Sequence, residues 1–448
     1  MFFSEYISLP YTMHRFLCTP DSDASFDFFS NTIQLERLKD KDKVRLEQWL
    51  RDRSLFRQGG QPAIDASNDK ADLVHEATHF MDATTTLWGL EYNYRKSRVL
   101  EKLQKGESPD EAVKVFMLNC AELEAHTSMT QQLDVACLAE CVMKHKLVQH
   151  DTYGPMVMIE FQDEGKTVQT VPLSMLSILE ANGYANETLS RIIDAEHLTD
   201  PDERTVALAI ATSNYSRTMN DAERSEYTLL LHLINRACDD VPLKERLILV
   251  SKLIRAVLDL NALDLSKLAN RLAPSFLNRS AGEALTWELR RGTSRPVVVF
   301  KAILAMDGFL TEAKAKGCRE QYLQQFVSDP ASIFELAVDE KVDVIDPVAS
   351  SIERKVYMDR LEQDWGTLDH WIIPASVAVN RTALLHKTCA EAFDELVYPD
   401  YFLNAENLQM PMRIDCDVRE KMDARLAIFG NLNKCYREAE KSKFYMRF

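Results

Sequence analysis

A chain of 448 residues, 46% hydrophobic and 27% charged, can bury a large core and is too evenly composed to be disordered, fibrous or dependent on disulfide staples. Its formal net charge of -16 argues against a nucleic-acid partner, because affinity for a phosphate backbone rests on Lys and Arg. No window approaches the roughly 18 consecutive apolar residues of a membrane-spanning helix, and the opening MFFSEYISLPYTMHRFLCTP lacks the charged start and apolar run of a signal peptide, so a cytoplasmic protein without a membrane partner is expected.

Only 13 Gly and 15 Pro interrupt long stretches rich in Leu, Ala, Glu, Lys and Arg, which predicts a helix-rich protein. In chain order, Asn31 to Ser54 suits an amphipathic helix, with Leu35, Leu38, Val44, Leu46, Trp49 and Leu50 as its apolar stripe. Residues 55–66, with Gly59, Gly60 and Pro62, read as a loop. Ser67, Asn68 or Asp69 then caps a helix that runs to a stop at Gly89. Residues 108–150 keep helical apolar spacing through Leu147, in one helix or two. PMVMIEF (155–161) and KTVQTVPL (166–173) read as a β-hairpin turning at Gly165. Ser174 caps the next helix, MLSILEANGYANETLSRIIDA, and from Pro201 onward helix follows helix. The expected fold is mainly α, with α+β character in the first half: a helical core with a small hairpin or sheet (1–200), followed by a helical domain (201–448). Nine cysteines without a CxxC pair are expected to be reduced and mostly buried.

The chemistry-bearing motif is His75-Glu76-Ala77-Thr78-His79. Residues four apart on a helix lie one above the other, so His75 and His79 present two imidazoles to one point. Glu76, on the same side, can act as general base on a water in the open position of a tetrahedral Zn2+ site. With ten histidines in the chain, this spacing seldom arises by chance. The plain alternative is two satisfied histidines and a solvated glutamate. Glu76-x-x-His79 also fits the ExxH of di-iron bundles, but those need a second ExxH, which the sequence lacks.

His75-Glu76-x-x-His79 resembles the active-site helix of zincin metallopeptidases. The metzincin extension is missing, since position 82 is Asp and position 85 is Thr, so a gluzincin-like arrangement with a downstream Glu as third ligand is implied. The resemblance asks for a glutamate flanked by small residues on a later helix, and Glu180, followed by Ala181 and Gly183, is preferred. Glu122 is next, then Glu140 or Glu91. Asp82 can hold a histidine in its metal-binding tautomer, or can simply be a solvated carboxylate. The hairpin strands can supply the sheet edge on which zincins align an extended substrate. An oxyanion stabiliser is expected among His126, His145, His150, Tyr92 and Tyr184.

The function expected from these parts is zinc-dependent hydrolysis of peptide bonds, acting on a peptide or protein substrate and restrained by a regulatory protein partner. The alternative is a catalytically inactive helical interaction or scaffold protein with a degenerate or structural metal site.

Overall fold

The computed structural model describes residues 24–28, 31–35, 37–38, 40–52, 59–104, 126–134, 137–151, 154–272, 279–290, 294–337, 345–363, 369–398, 401–403 and 408–409. It is mainly helical with small sheets. Strands β1 (Ser25–Asp27) and β2 (Thr32–Leu35) precede helices α1 (Asp40–Arg51), α2 (Gly60–Thr85) and α3 (Leu87–Gln104). Next come β3 (Gln131–Gln132), β4 (Val142–His150), β5 (Gly154–Asp163) and β6 (Lys166–Pro172), then α4 (Met175–Glu196) and α5 (Pro201–Met219). Helices α6 (Ser225–Ala237), α7 (Leu243–Leu258), α8 (Ala262–Leu272), α9 (Arg279–Arg290) and α10 (Arg295–Ala315) follow.

The hairpin and the helix after it form where their residues predict. Glu164 and Gly165, at φ 45 and 81, make the two-residue turn between β5 and β6. Ser174 caps α4 by accepting from the Ser177 backbone N–H in a capping box. Asp200 caps α5 ahead of Pro201 by accepting from the Asp202 and Glu203 backbone N–H groups. The boundary expected near residue 200 falls in this turn, where buried side chains on both sides belong to one hydrophobic core.

Several expectations need correction. The stretch from Asn31 opens as a strand, not a helix, because β2 pairs with β1 on one side and with Tyr401–Leu403 on the other. Helix α2 begins at Gly60, so much of the expected loop is helical, and Ser67, Asn68 and Asp69 are interior residues whose side chains pair with Asp194, Arg191 and Arg45 instead of capping. The helix breaks at Thr86, whose ψ of 158 is extended, not at Gly89. Gly89 lies within α3, where an added Cβ would meet the Ala83 and Asp82 carbonyl oxygens at 2.3 Å. Residues 142–150 form β4, paired along its whole length with β5. Val142, Met143, Leu147 and Val148 suit a helical stripe as readily as a strand, and only the pairing decides between them. The hairpin strands are interior, since the sheet order is β3-β6-β5-β4, so the edges belong to β3 and β4. Of the five described cysteines, all free, Cys238 and Cys389 are buried, while Cys137 is exposed and Cys141 and Cys318 are half-buried.

What positions the site is the pairing of α2 with α4. From Asp69 to Thr85 every residue of α2 except Asp72 is buried. The helix tolerates its threonines there because Thr78, Thr84 and Thr85 donate to the carbonyls four residues back. Side-chain contacts run in opposite directions along the two helices. Asp82 meets Asn182, His75 meets Glu187, and Asn68 meets Arg191. The helices are therefore antiparallel, with the motif near the middle of their contact.

Candidate metal centre

His75 and His79 leave one face of α2 a turn apart, and Glu180 meets them from α4. His75 Nε2 lies 3.2 Å and His79 Nε2 3.6 Å from the same Glu180 oxygen. One donor atom from each of the three residues falls within 4.8 Å of the others, and all three residues are buried. This is a group that can hold a metal ion. The two helices approach closely because position 183 is glycine. An added Cβ there would stand 2.6 Å from His75 Nε2, the nitrogen that faces the group. A small residue one turn past Glu180 is thus a steric requirement.

The other nitrogen of His75 is held by a residue the sequence reading did not single out. His75 Nδ1 is 2.9 Å from Glu187 Oε2, and the second Glu187 oxygen accepts from Arg191 at 2.6 Å. Arg191 also donates to Asn68 at 3.0 Å. A carboxylate at one imidazole nitrogen orients the ring and leaves the other nitrogen for a metal. Its sequence signal is spacing: Glu187 follows Glu180 by seven residues, two helical turns, and so shares its face. Asp82 does not serve this role. It accepts from Asn182 at 2.7 Å and from Arg255 at 3.1 Å, which ties α2 to α4 and α7. His79 is backed by the aromatic rings of Phe28 and Phe26, at 5.8 and 6.5 Å.

The charges reflect this crowding. Burial alone would raise the Glu180 carboxyl, but His79 and His75 beside it hold it down at about 2. Burial likewise opposes the ionised Glu187, and Arg191 and His75 outweigh it to bring that group to about 2. For His75 burial disfavours the cation, yet contacts with Glu180 and Glu187 raise it well above the ordinary value. Glu76 is 5% exposed. Burial pushes it up to about 7, with the two histidines pulling it down and Glu180 and Glu187 pushing it further up. Its carboxylate therefore lies in the field of the whole group.

The other sequence candidates scatter. Glu122 lies outside the described residues. Glu140 is exposed on a short 3-10 turn, Leu138–Glu140, before β4, and Glu91 pairs with Arg95 on α3. His145 is on β4 against Phe300, His150 ends β4, and Tyr92 packs on Phe28 and Trp88. Two candidates lie on α4 or against its start. Tyr184, next to Gly183, stacks on Tyr215 and meets Tyr227 edge-on. Buried His126 lies 3.4 Å from the Ser174 and Ser177 hydroxyls and 3.7 Å from Glu226. Tyr227, which follows Glu226 in α6, has its ring 5.8 Å from that of His75. Nothing in its sequence context distinguishes it from an ordinary aromatic of an amphipathic helix.

No family model, no curated protein and no solved structure matches the chain. Among the described residues no helix is long and apolar enough to cross a membrane.

Proposed function

We propose that the chain is a zinc-dependent metallopeptidase of the gluzincin kind, with His75, His79 and Glu180 as ligands and Glu76 as general base. The observation that carries this reading is the meeting of those three donors, within 4.8 Å, from helices separated by about a hundred residues in the chain. Two imidazoles and one carboxylate are the protein ligands of a catalytic zinc site, whereas structural zinc is usually closed by four protein donors, often cysteine. Bound here, zinc would supply Lewis acidity toward a peptide carbonyl and toward water. Glu187 and Arg191 keep His75 in one tautomer and orientation. Glu76 takes a proton from water and returns it to the leaving amine, while the buried surroundings keep bulk water away.

The test pairs metal analysis with cleavage of a quenched-fluorescent peptide library. Glu76→Gln is expected to keep its zinc and to lose cleavage by a factor of about 10² to 10⁴. Cleavage at the wild-type rate by zinc-loaded Glu76→Gln would sink the reading. The burial of all four site side chains supports a second reading, a helical interaction protein stabilised by a structural ion. That reading expects zinc to raise the melting temperature of a wild-type protein that cleaves nothing in the library.

A further inference from the structure

A groove lies at the outer end of the α2–α4 pair, where the first turns of α2, the last turns of α4 and the first half of α5 converge, with a cavity volume of about 330 Å³. Its walls are apolar, formed chiefly by Ile64, Leu198, Val206 and Ile210. Val206 is 54% and Ile210 37% exposed, so α5 turns two large aliphatic side chains into an open concavity, as binding sites do and ordinary helix surfaces seldom do. The charged groups of the floor are satisfied. Arg191 is held by Glu187 and Asn68, and Asp194 accepts from Lys70 and Ser67. The side chains of Asp202 and Glu203, which also line the groove, form no ion pair among the described residues.

We propose that this groove binds a peptide segment in which a large apolar side chain is flanked by Lys or Arg. The aliphatic walls take the apolar side chain, and Asp202 and Glu203 take the neighbouring cation. A chain of net charge -16 disfavours an acidic segment in the same place. The floor residue Arg191 is the cation that holds Glu187 against His75, so the bound segment lies two hydrogen bonds from the metal group. Binding at the groove needs neither metal nor hydrolysis and stands or falls apart from the peptidase reading.

The experiment is fluorescence anisotropy with a fluorescein-labelled peptide, Gly-Ser-Lys-Leu-Phe-Lys-Ser-Gly, titrated with the full chain carrying Glu76→Gln so that cleavage cannot consume the probe. Saturable binding is expected, at least tenfold weaker for the counterpart peptide with Glu in place of Lys. Ile210→Arg, and independently Val206→Arg at the more exposed position, should each weaken binding at least tenfold. Asp202→Asn with Glu203→Gln should weaken it about two- to tenfold and flatten its salt dependence. Glu245→Gln with Glu320→Gln, the same charge change at exposed sites elsewhere, should leave it unchanged. Unsaturable binding, groove variants that bind like the parent, or equal weakening by the control pair would each overturn the proposal.

Discussion

Helices α2 and α4 are buried with their polar groups, whereas α7 is buried almost entirely through aliphatic ones and its neighbours α6 and α10 mostly through apolar ones. His75, Glu76, His79, Asp82, Glu180, Asn182 and Asn186 are all nearly inaccessible, while α7 hides Leu247, Leu249, Val250, Leu253, Ile254 and Val257 with Ser251 as its one buried polar residue. Burying charged and amide groups costs stability unless each is partnered. Many of the partners are present, as in the bridge from Asn182 through Asn186 to Ser251 and the Ala390 backbone. A fold that needed only cohesion would fill this space with aliphatic residues, as its other half does. The contrast separates what holds the molecule together from what it holds in place.

The largest effect should come from removing a donor. His79→Ala and Glu180→Ala should each release zinc that wild type retains at about one per chain, as read by elemental analysis after dialysis, while both remain folded by circular dichroism. Retention of zinc by both would dissolve the distinction between the two regions. On the aliphatic side, Leu253→Ala should cost about 2–5 kcal/mol in denaturant unfolding without changing the zinc dissociation constant of the folded protein. A lesser effect is expected where carboxylate and imidazole meet, since Glu187→Gln removes the charge that orients His75 and should weaken zinc binding about 10- to 100-fold. Competition with a chelator measures it, and an unchanged affinity would show that Glu187 serves packing alone.

The smallest effect concerns His232, a buried polar group on the aliphatic side, packed against Phe161. Burial lowers its imidazole to about 4 from 6.5, so in that interval the unfolded chain binds the extra proton. Stability tied to this group is complete above pH 6.5 and is lost as pH falls toward 4. The melting temperature of wild type should therefore drop more steeply over that window than that of His232→Leu, and equal slopes would remove His232 as a cause.

Local patterns were legible where local physics decides. The Ser174 cap and the hairpin about Gly165 rest on residues a few positions apart. The motif histidines were legible because four residues make one helical turn. The start of α2 and the identity of β4 were not, since α2 begins inside the Gly-Pro stretch that reads as a loop and Val142–His150 becomes a strand only beside β5. The same division runs through the site. Sequence by itself determined the helical character and the pair of imidazoles with Glu76 between them. Only the tertiary structure decided that Glu180 meets both histidines, that Glu187 rather than Asp82 holds an imidazole, that Tyr227 faces His75, and that His126 meets Ser174 and Ser177. Those contacts join residues 48 or more positions apart. Their geometry is set by the antiparallel register of α2 on α4, and that register follows from close packing across the whole interface, not from any short run of residues.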